Sequence, residues 1–182
     1  MGSDSSSSYE TELKYSYPNV SESTVLNTYI CSMTIYVNQL VGGSIRFSHA
    51  GIIVYPDKVY ETDSFHNGGV LIEYGDYDKD NSKDSGYYYW YESNTGLRYI
   101  STSDVQRIYG EFIPCDVEYK MTVRDMLNKI CDNGRIWNKS HYNFMFHDCQ
   151  HFVTWAIYFL EATRHYNFQK RLANLHLKIR IA

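Results

Sequence analysis

The stretch that decides the fold is His147-Asp-Cys-Gln-His-Phe-Val-Thr-Trp155, because it places a cysteine where a loop turns into an apolar helix. After Cys149, apolar residues recur at the i, i+3, i+4 and i+7 spacing of one buried helical stripe: Phe152, Val153, Ala156, Ile157 and Leu160. With Asp148 as N-cap, Cys149 lies in the first turn, where free backbone N–H groups and the helix dipole favour a thiolate. The pattern predicts an inward-facing nucleophile, although buried free cysteines are also ordinary core residues.

A thiol nucleophile needs a base, and His49 is the best placed of the seven histidines. It lies in Ser44-Ile-Arg-Phe-Ser-His-Ala-Gly-Ile-Ile-Val-Tyr55, a β-rich run that ends at Pro56-Asp57 as a strand entering a turn does. A histidine inside such a strand is unusual. The competing interpretation is a core imidazole that hydrogen-bonds to the backbone.

Both segments resemble motifs of a known enzyme group. Tyr142-Asn-Phe-Met-Phe-His-Asp-Cys-Gln-His-Phe-Val-Thr154 resembles the box of lecithin:retinol acyltransferase-like and H-Ras-like suppressor acyltransferases, in which a tyrosine precedes Asn-Cys-Glu-His-Phe-Val. Ser48-His-Ala-Gly-Ile-Ile-Val-Tyr55 is similar to their His-Trp-Ala-x-Tyr-Val strand. These families belong to the circularly permuted NlpC/P60 group of papain-like folds, in which the histidine precedes the cysteine along the chain. The order found in this sequence is the same.

The resemblance implies a role for each matching residue. Cys149 matches the family's nucleophile and His49 its general base, while the third polar residue, 12 positions after the histidine, falls on Glu61. A carboxylate can orient an imidazole and stabilise its protonated form. Asp63 and His66 are the alternatives for this position. The implied function is a thiol hydrolase or acyltransferase that forms an acyl-thioester from an ester or amide, lipid-type substrate.

Two other functions stay open. The same boxes resemble PPPDE-type isopeptidases, which remove ubiquitin-like modifiers, so the substrate could also be a peptide or a modifier conjugate. Asp148 beside the sulfur and Glu61 in place of the family's usual histidine also fit a papain-like domain that binds a partner without catalysis. An ionised Asp148 would oppose a neighbouring thiolate unless its capping bonds absorb the charge.

A zinc site is a further alternative, since His147-x-Cys149-x-His151 offers three ligands within five residues. A helix that begins at Asp148 turns Cys149 away from both histidines. The sequence contains no second close pair of Cys or His to complete such a site. We therefore predict neither a metal nor another cofactor.

The composition fits one small domain. The 182 residues are 43% hydrophobic, which is enough for one core. Four irregularly spaced cysteines without a signal peptide favour reduced thiols in the cytoplasm. A net charge of −4 does not favour binding to nucleic acid, which needs a basic surface. No apolar run approaches the roughly 18 residues that cross a bilayer. A lipid substrate would thus be reached peripherally, and the basic, leucine-containing segment 164–180 is a candidate membrane contact.

The chain is expected to divide at about residue 23. Residues 1–23 are predicted to be a flexible serine-rich arm, whose first six residues fit the N-myristoylation pattern as well as an expression leftover. Residues 24–182 form the single domain. Within it, the acidic, tyrosine-rich segment 76–102 is either a recognition insertion beside the cleft or an edge hairpin that covers core.

Local patterns predict the class of the fold. Strands are expected at 45–55, 58–62 and 69–75, and a helix capped by Thr122 is expected at 121–133. Strands first and a pair of helices late indicate an α+β protein, with an antiparallel sheet packed against the Cys149 helix. The resemblance narrows this class to the permuted papain-like fold.

Overall fold

The structure is a computed structural model that describes residues 19–42, 45–57, 68–77, 86–90, 95–105, 111–118, 120–133, 137–143, 149–160 and 162–163. Its helices are α1 (Glu22–Leu26), α2 (Val123–Asn133) and α3 (Cys149–Phe159). Its strands are β1 (Ser32–Gly42), β2 (Ile45–Tyr55), β3 (Val70–Tyr74), β4 (Tyr88–Tyr89), β5 (Leu97–Ser101), β6 (Glu111–Val117) and β7 (Ala162–Thr163).

The strands form one antiparallel sheet in the order β4-β5-β3-β2-β1-β6-β7. β1 and β2 pair along their whole length. β3 pairs with β2 only between Val54 and Gly51, which lies opposite Glu73. Residues 45–50 of β2 therefore run past the end of this ladder. Residue 50 pairs with β1 on one side but has no partner in β3 on the other. The candidate site lies at this second side.

Helix α3 packs on one face of the sheet, against β2. Its apolar stripe is at most 6% exposed, as the spacing predicts: Phe152, Val153, Ala156, Ile157 and Leu160. The stripe shares a core with residues of the sheet and with the inward side of α2. The predicted α+β class, with an antiparallel sheet packed against the helix that carries the cysteine, is confirmed.

The predicted helix at 121–133 is present as α2. Thr122 caps it, because the Thr122 hydroxyl accepts a hydrogen bond from the Asp125 N–H at 3.1 Å. The Asp125 carboxylate in turn accepts from the Thr122 N–H at 3.4 Å, which completes a capping box. The strands predicted at 45–55 and 69–75 correspond to β2 and β3. The strand predicted at 58–62 lies outside the described residues.

The folded domain begins earlier than the sequence suggested. Helix α1 starts at Glu22, within the segment expected to be a flexible arm, and Ser21 caps it by accepting from the Thr24 N–H. Upstream of α1, the buried carboxylate of Asp104 accepts a hydrogen bond from the Asn19 N–H at 2.7 Å. This contact joins positions 85 residues apart. Residues 1–18 lie outside the described part of the chain.

Two strands of the sheet, β4 and β5, lie within the described part of the tyrosine-rich segment 76–102. β4 pairs with β5, so that Tyr88 lies opposite Tyr99. All of β5 is buried. These residues match the edge-hairpin interpretation, in which the tyrosines cover core. Residues 78–85 and 91–94 lie outside the described part of the chain.

Replacing Phe152 with alanine tests whether α3 is anchored through its buried stripe. The Phe152 ring is 0% exposed and lies 5.4 Å from the Trp137 ring, centroid to centroid. Loss of such a ring leaves a cavity, so we expect Phe152→Ala to lower the free energy of unfolding by about 3–5 kcal/mol in urea titrations. Tyr158→Ala on the same helix is the matched control, because Tyr158 is 70% exposed. A control change beyond about 0.5 kcal/mol would contradict the assigned helix face.

Candidate active site

Cys149 is the first residue of α3 and is buried. Its sulfur accepts a hydrogen bond from the Ala50 N–H at 3.4 Å. That N–H is available because Ala50 lies one residue past the Gly51–Glu73 pair that ends the β2–β3 ladder. The first turn of α3 therefore reaches β2 through the opening at the end of the ladder. The prediction that Cys149 faces inward from the start of a helix is confirmed, while Asp148 lies outside the described residues.

His49 precedes Ala50 on β2, and 19% of its side chain is exposed. The neighbouring Cys149 side chain favours the protonated form of its ring and so raises the pKa of His49. Its Nε2 atom lies 2.6 Å from Oε1 of Glu73. Because Glu73 occupies Nε2, Nδ1 is the ring nitrogen left for the sulfur. The structure thus brings together the two residues that the sequence pairs as nucleophile and base.

Glu73 reaches His49 from the neighbouring strand. It lies directly opposite Gly51, and His49 is the diagonal neighbour two residues away on the same face of β2. A Cβ atom at Gly51 would lie 3.1 Å from Cγ of Glu73. Glycine at this position therefore leaves the space through which the carboxylate leans towards the imidazole.

The second carboxylate oxygen of Glu73 accepts two further hydrogen bonds. Arg98 Nε donates to Oε2 at 3.0 Å, and the Tyr87 hydroxyl donates to it at 2.8 Å. Arg98 lies opposite Glu73 in the β3–β5 ladder, so the sheet register fixes this ion pair. The Glu73 side chain is 0% exposed. Its charge is therefore buried but fully paired, as a buried carboxylate requires.

The charges of the site alternate in sign. Burial disfavours the charged form of Glu73, yet the cations Arg98 and His49 outweigh it and lower the pKa of this carboxyl to about 2. Burial also opposes a charge on His49, but the Glu73 carboxylate and the neighbouring Cys149 raise its pKa to about 10. His49 is therefore an imidazolium at neutral pH, held between a carboxylate and a sulfur.

The carboxylate found beside His49 is Glu73, which the sequence does not predict for this role. Glu61 and its alternatives Asp63 and His66 lie outside the described residues. The signal that could have identified Glu73 is its position inside Val70-Leu-Ile-Glu-Tyr74, a predicted buried strand with only one charged residue. A charge in such a strand needs a partner.

The described part of the chain contains neither a cluster of metal ligands nor a membrane-spanning helix. There, no group of three or more His, Cys, Asp or Glu side chains could hold a metal ion. His151 is exposed on α3, and His147 lies outside the described residues. No described helix is long and apolar enough to cross a membrane.

The pH titration of His49 tests the charge arrangement. Its carboxylate neighbour stabilises the protonated ring, so NMR should show His49 protonated well above its ordinary pKa of 6.5. In Glu73→Gln the negative charge is lost while burial still disfavours the imidazolium, so the titration midpoint must fall. The Cε1–H shift of His49 reports both values, and His141, exposed elsewhere on the protein, serves as the internal control. An equal midpoint in both proteins would show that Glu73 does not hold the charge.

The chain matches no family model, no curated protein and no solved structure. A conclusion about function therefore depends on the contacts of Cys149, His49 and Glu73 themselves.

Proposed function

We propose that this protein is a cysteine-dependent hydrolase or acyltransferase that works through an acyl-thioester on an ester or amide substrate. The observation that carries the proposal is the placement of the Cys149 sulfur on the N–H of Ala50, next to His49, whose Nε2 atom is hydrogen-bonded to the buried Glu73 carboxylate. A nucleophile, a base in contact with it and a group that orients the base are the working parts of a thiol active site. The permuted papain-like fold is part of the same proposal.

In the first half of the reaction, Cys149 acts as a thiolate beside the imidazolium of His49, and its sulfur forms a bond to the substrate carbonyl carbon. The carbonyl oxygen becomes an oxyanion, which the N–H groups of the first turn of α3 would stabilise. As the carbonyl re-forms, the bond to the alcohol or amine breaks, and the imidazolium of His49 gives its proton to that leaving group. An acyl group then remains on the sulfur.

In the second half, water or an acceptor attacks the acyl-thioester. His49, now neutral, takes the proton of the attacking group, and the sulfur leaves as the carbon–sulfur bond breaks. Water gives a free acid, which is hydrolysis. An amine or hydroxyl acceptor gives acyl transfer by the same steps, so the acceptor decides which activity is observed.

The buried charges favour catalysis over a binding module. Buried ion pairs contribute little to stability, because the cost of removing their charges from water offsets their attraction. A fold that needed only stability could replace Glu73 and Arg98 with apolar residues. Their placement beside a neighbouring cysteine and histidine is typical of a site that sets the protonation state of its base.

Covalent labelling tests the proposal. An activated acyl ester should acylate Cys149, and mass spectrometry should place the adduct on that residue. Cys149→Ala should abolish the adduct, and His49→Gln should slow its formation by roughly 10²-fold or more, because the base is lost. Cys31→Ala is the matched control, since Cys31 is a free, partly exposed thiol outside the site. Its labelling should equal that of the wild type.

Undiminished labelling of Cys149→Ala would overturn the assignment. An equal labelling rate in His49→Gln and the wild type would leave an accessible thiol with no catalytic base. For the active enzyme, phospholipid vesicles and conjugates of ubiquitin-like modifiers then separate the substrate classes. Turnover of conjugates without turnover of lipid would assign the isopeptidase activity instead.

A further inference from the structure

Tyr77 follows β3 and contacts the two cations that flank the Glu73 carboxylate, His49 and Arg98. We infer that Tyr77 is a positioning residue: its ring, stacked on Arg98, covers the His49–Glu73 pair and keeps water from it. The importance of this cover for catalysis rests on the proposed function. The cover itself can be measured without any substrate.

The contacts of Tyr77 place it over the pair. Its hydroxyl lies 3.3 Å from Nε2 of His49. Its ring meets the imidazole nearly edge to face, with the centroids 6.4 Å apart and the planes at 87°. The Arg98 guanidinium carbon lies 3.6 Å from the same Tyr77 ring centroid, a distance at which cation and ring attract. Tyr77 therefore contacts both His49 and Arg98, the cation that pairs with the Glu73 carboxylate.

The backbone before Tyr77 is shaped for this position. A Cβ atom at Gly75 would lie 2.8 Å from two atoms of the Tyr77 ring. Glycine therefore allows the chain to fold back immediately after β3, so that the ring lies against its own strand end. The phenol also stays neutral, because burial and the Glu73 carboxylate raise the pKa of Tyr77 well above its ordinary value.

Besides Tyr77, the described groups around His49 come from four elements of the fold. β1 contributes the ring of Tyr36, at 6.4 Å between centroids, and β3 contributes Glu73. α3 contributes Cys149, and Arg98 of β5 acts through Glu73. Tyr77 differs from Tyr36 in that it also contacts Arg98.

Cover of this kind has a physical consequence. Water beside the 2.6 Å hydrogen bond between His49 and Glu73 would raise the local dielectric and weaken their attraction. The imidazolium would then lose the stabilisation that offsets its own burial. We therefore expect the protonation of His49 to depend on the Tyr77 ring more than on the Tyr77 hydroxyl.

NMR of the full chain tests the inference through two properties of His49. These are the exchange rate of its Nε2–H proton with water and the titration midpoint of its ring. Tyr77→Phe keeps the ring on Arg98 and should preserve both. Tyr77→Ala should speed the exchange at least about tenfold and lower the midpoint by roughly one pH unit, since a tenfold change in the protonation equilibrium corresponds to one unit. The control Tyr158→Ala removes a tyrosine that is 70% exposed and should change neither property.

The inference would be overturned if His49 in Tyr77→Ala kept the proton exchange rate and the titration midpoint of the wild type. Equal changes in Tyr77→Phe and Tyr77→Ala would also overturn it, because the hydroxyl rather than the cover would then be responsible. If Tyr77→Ala does not fold, Tyr77→Leu, which cannot stack on a guanidinium, replaces it with the same expected direction. The proposed function can fail separately: the predicted NMR behaviour without any acyl adduct on Cys149 would retain the cover and exclude the enzyme.

Discussion

A carboxylate without exposed surface is the constraint on which the rest of the site depends. An unpaired carboxylate in the position of Glu73 would cost several kcal/mol, so the sheet must bring partners to both of its oxygens. Arg98 and His49 come from the strands on either side, and only one register of each ladder provides them. A slip of one residue in β3 would turn the Glu73 side chain to the opposite face. The buried charge therefore specifies the pairing of β2, β3 and β5.

The two faces of the sheet have different roles, and the candidate site joins them. Strand alternation places Glu73 and Arg98 on the same face as the smaller core, which contains Ile53, Leu71 and Ile100. Helix α3 packs on the other face, within the larger core. Cys149 can meet His49 only where the β2–β3 ladder ends, and its hydrogen bond from Ala50 marks that point. Because the β2–β3 ladder ends early, Cys149 of α3, on one face of the sheet, can reach His49. The carboxylate that orients His49 lies on the other face.

Local sequence patterns were sufficient for α2, α3, β2 and β3, and they indicated His49 as the partner of Cys149. The stripe of α3, the strand around His49 and the cap at Thr122 each depend on neighbours within a few residues. The partners of His49 depend instead on register, which local patterns do not specify: Glu73 is 24 residues from His49, and Arg98 is 25 residues from Glu73. The same limit explains the start of the domain, since Asn19 is held by an aspartate 85 residues away.

A double-mutant cycle tests most directly whether Cys149, His49 and Glu73 act as one unit. The rate of Cys149 acylation would be measured in the wild type, Glu73→Gln, His49→Gln and the double variant. If Glu73 acts only through the imidazole, its removal has no further effect once His49 is gone, so the double variant and His49→Gln should react at equal rates. Losses that add in free energy would show that Glu73 and His49 act independently, and would contradict the account.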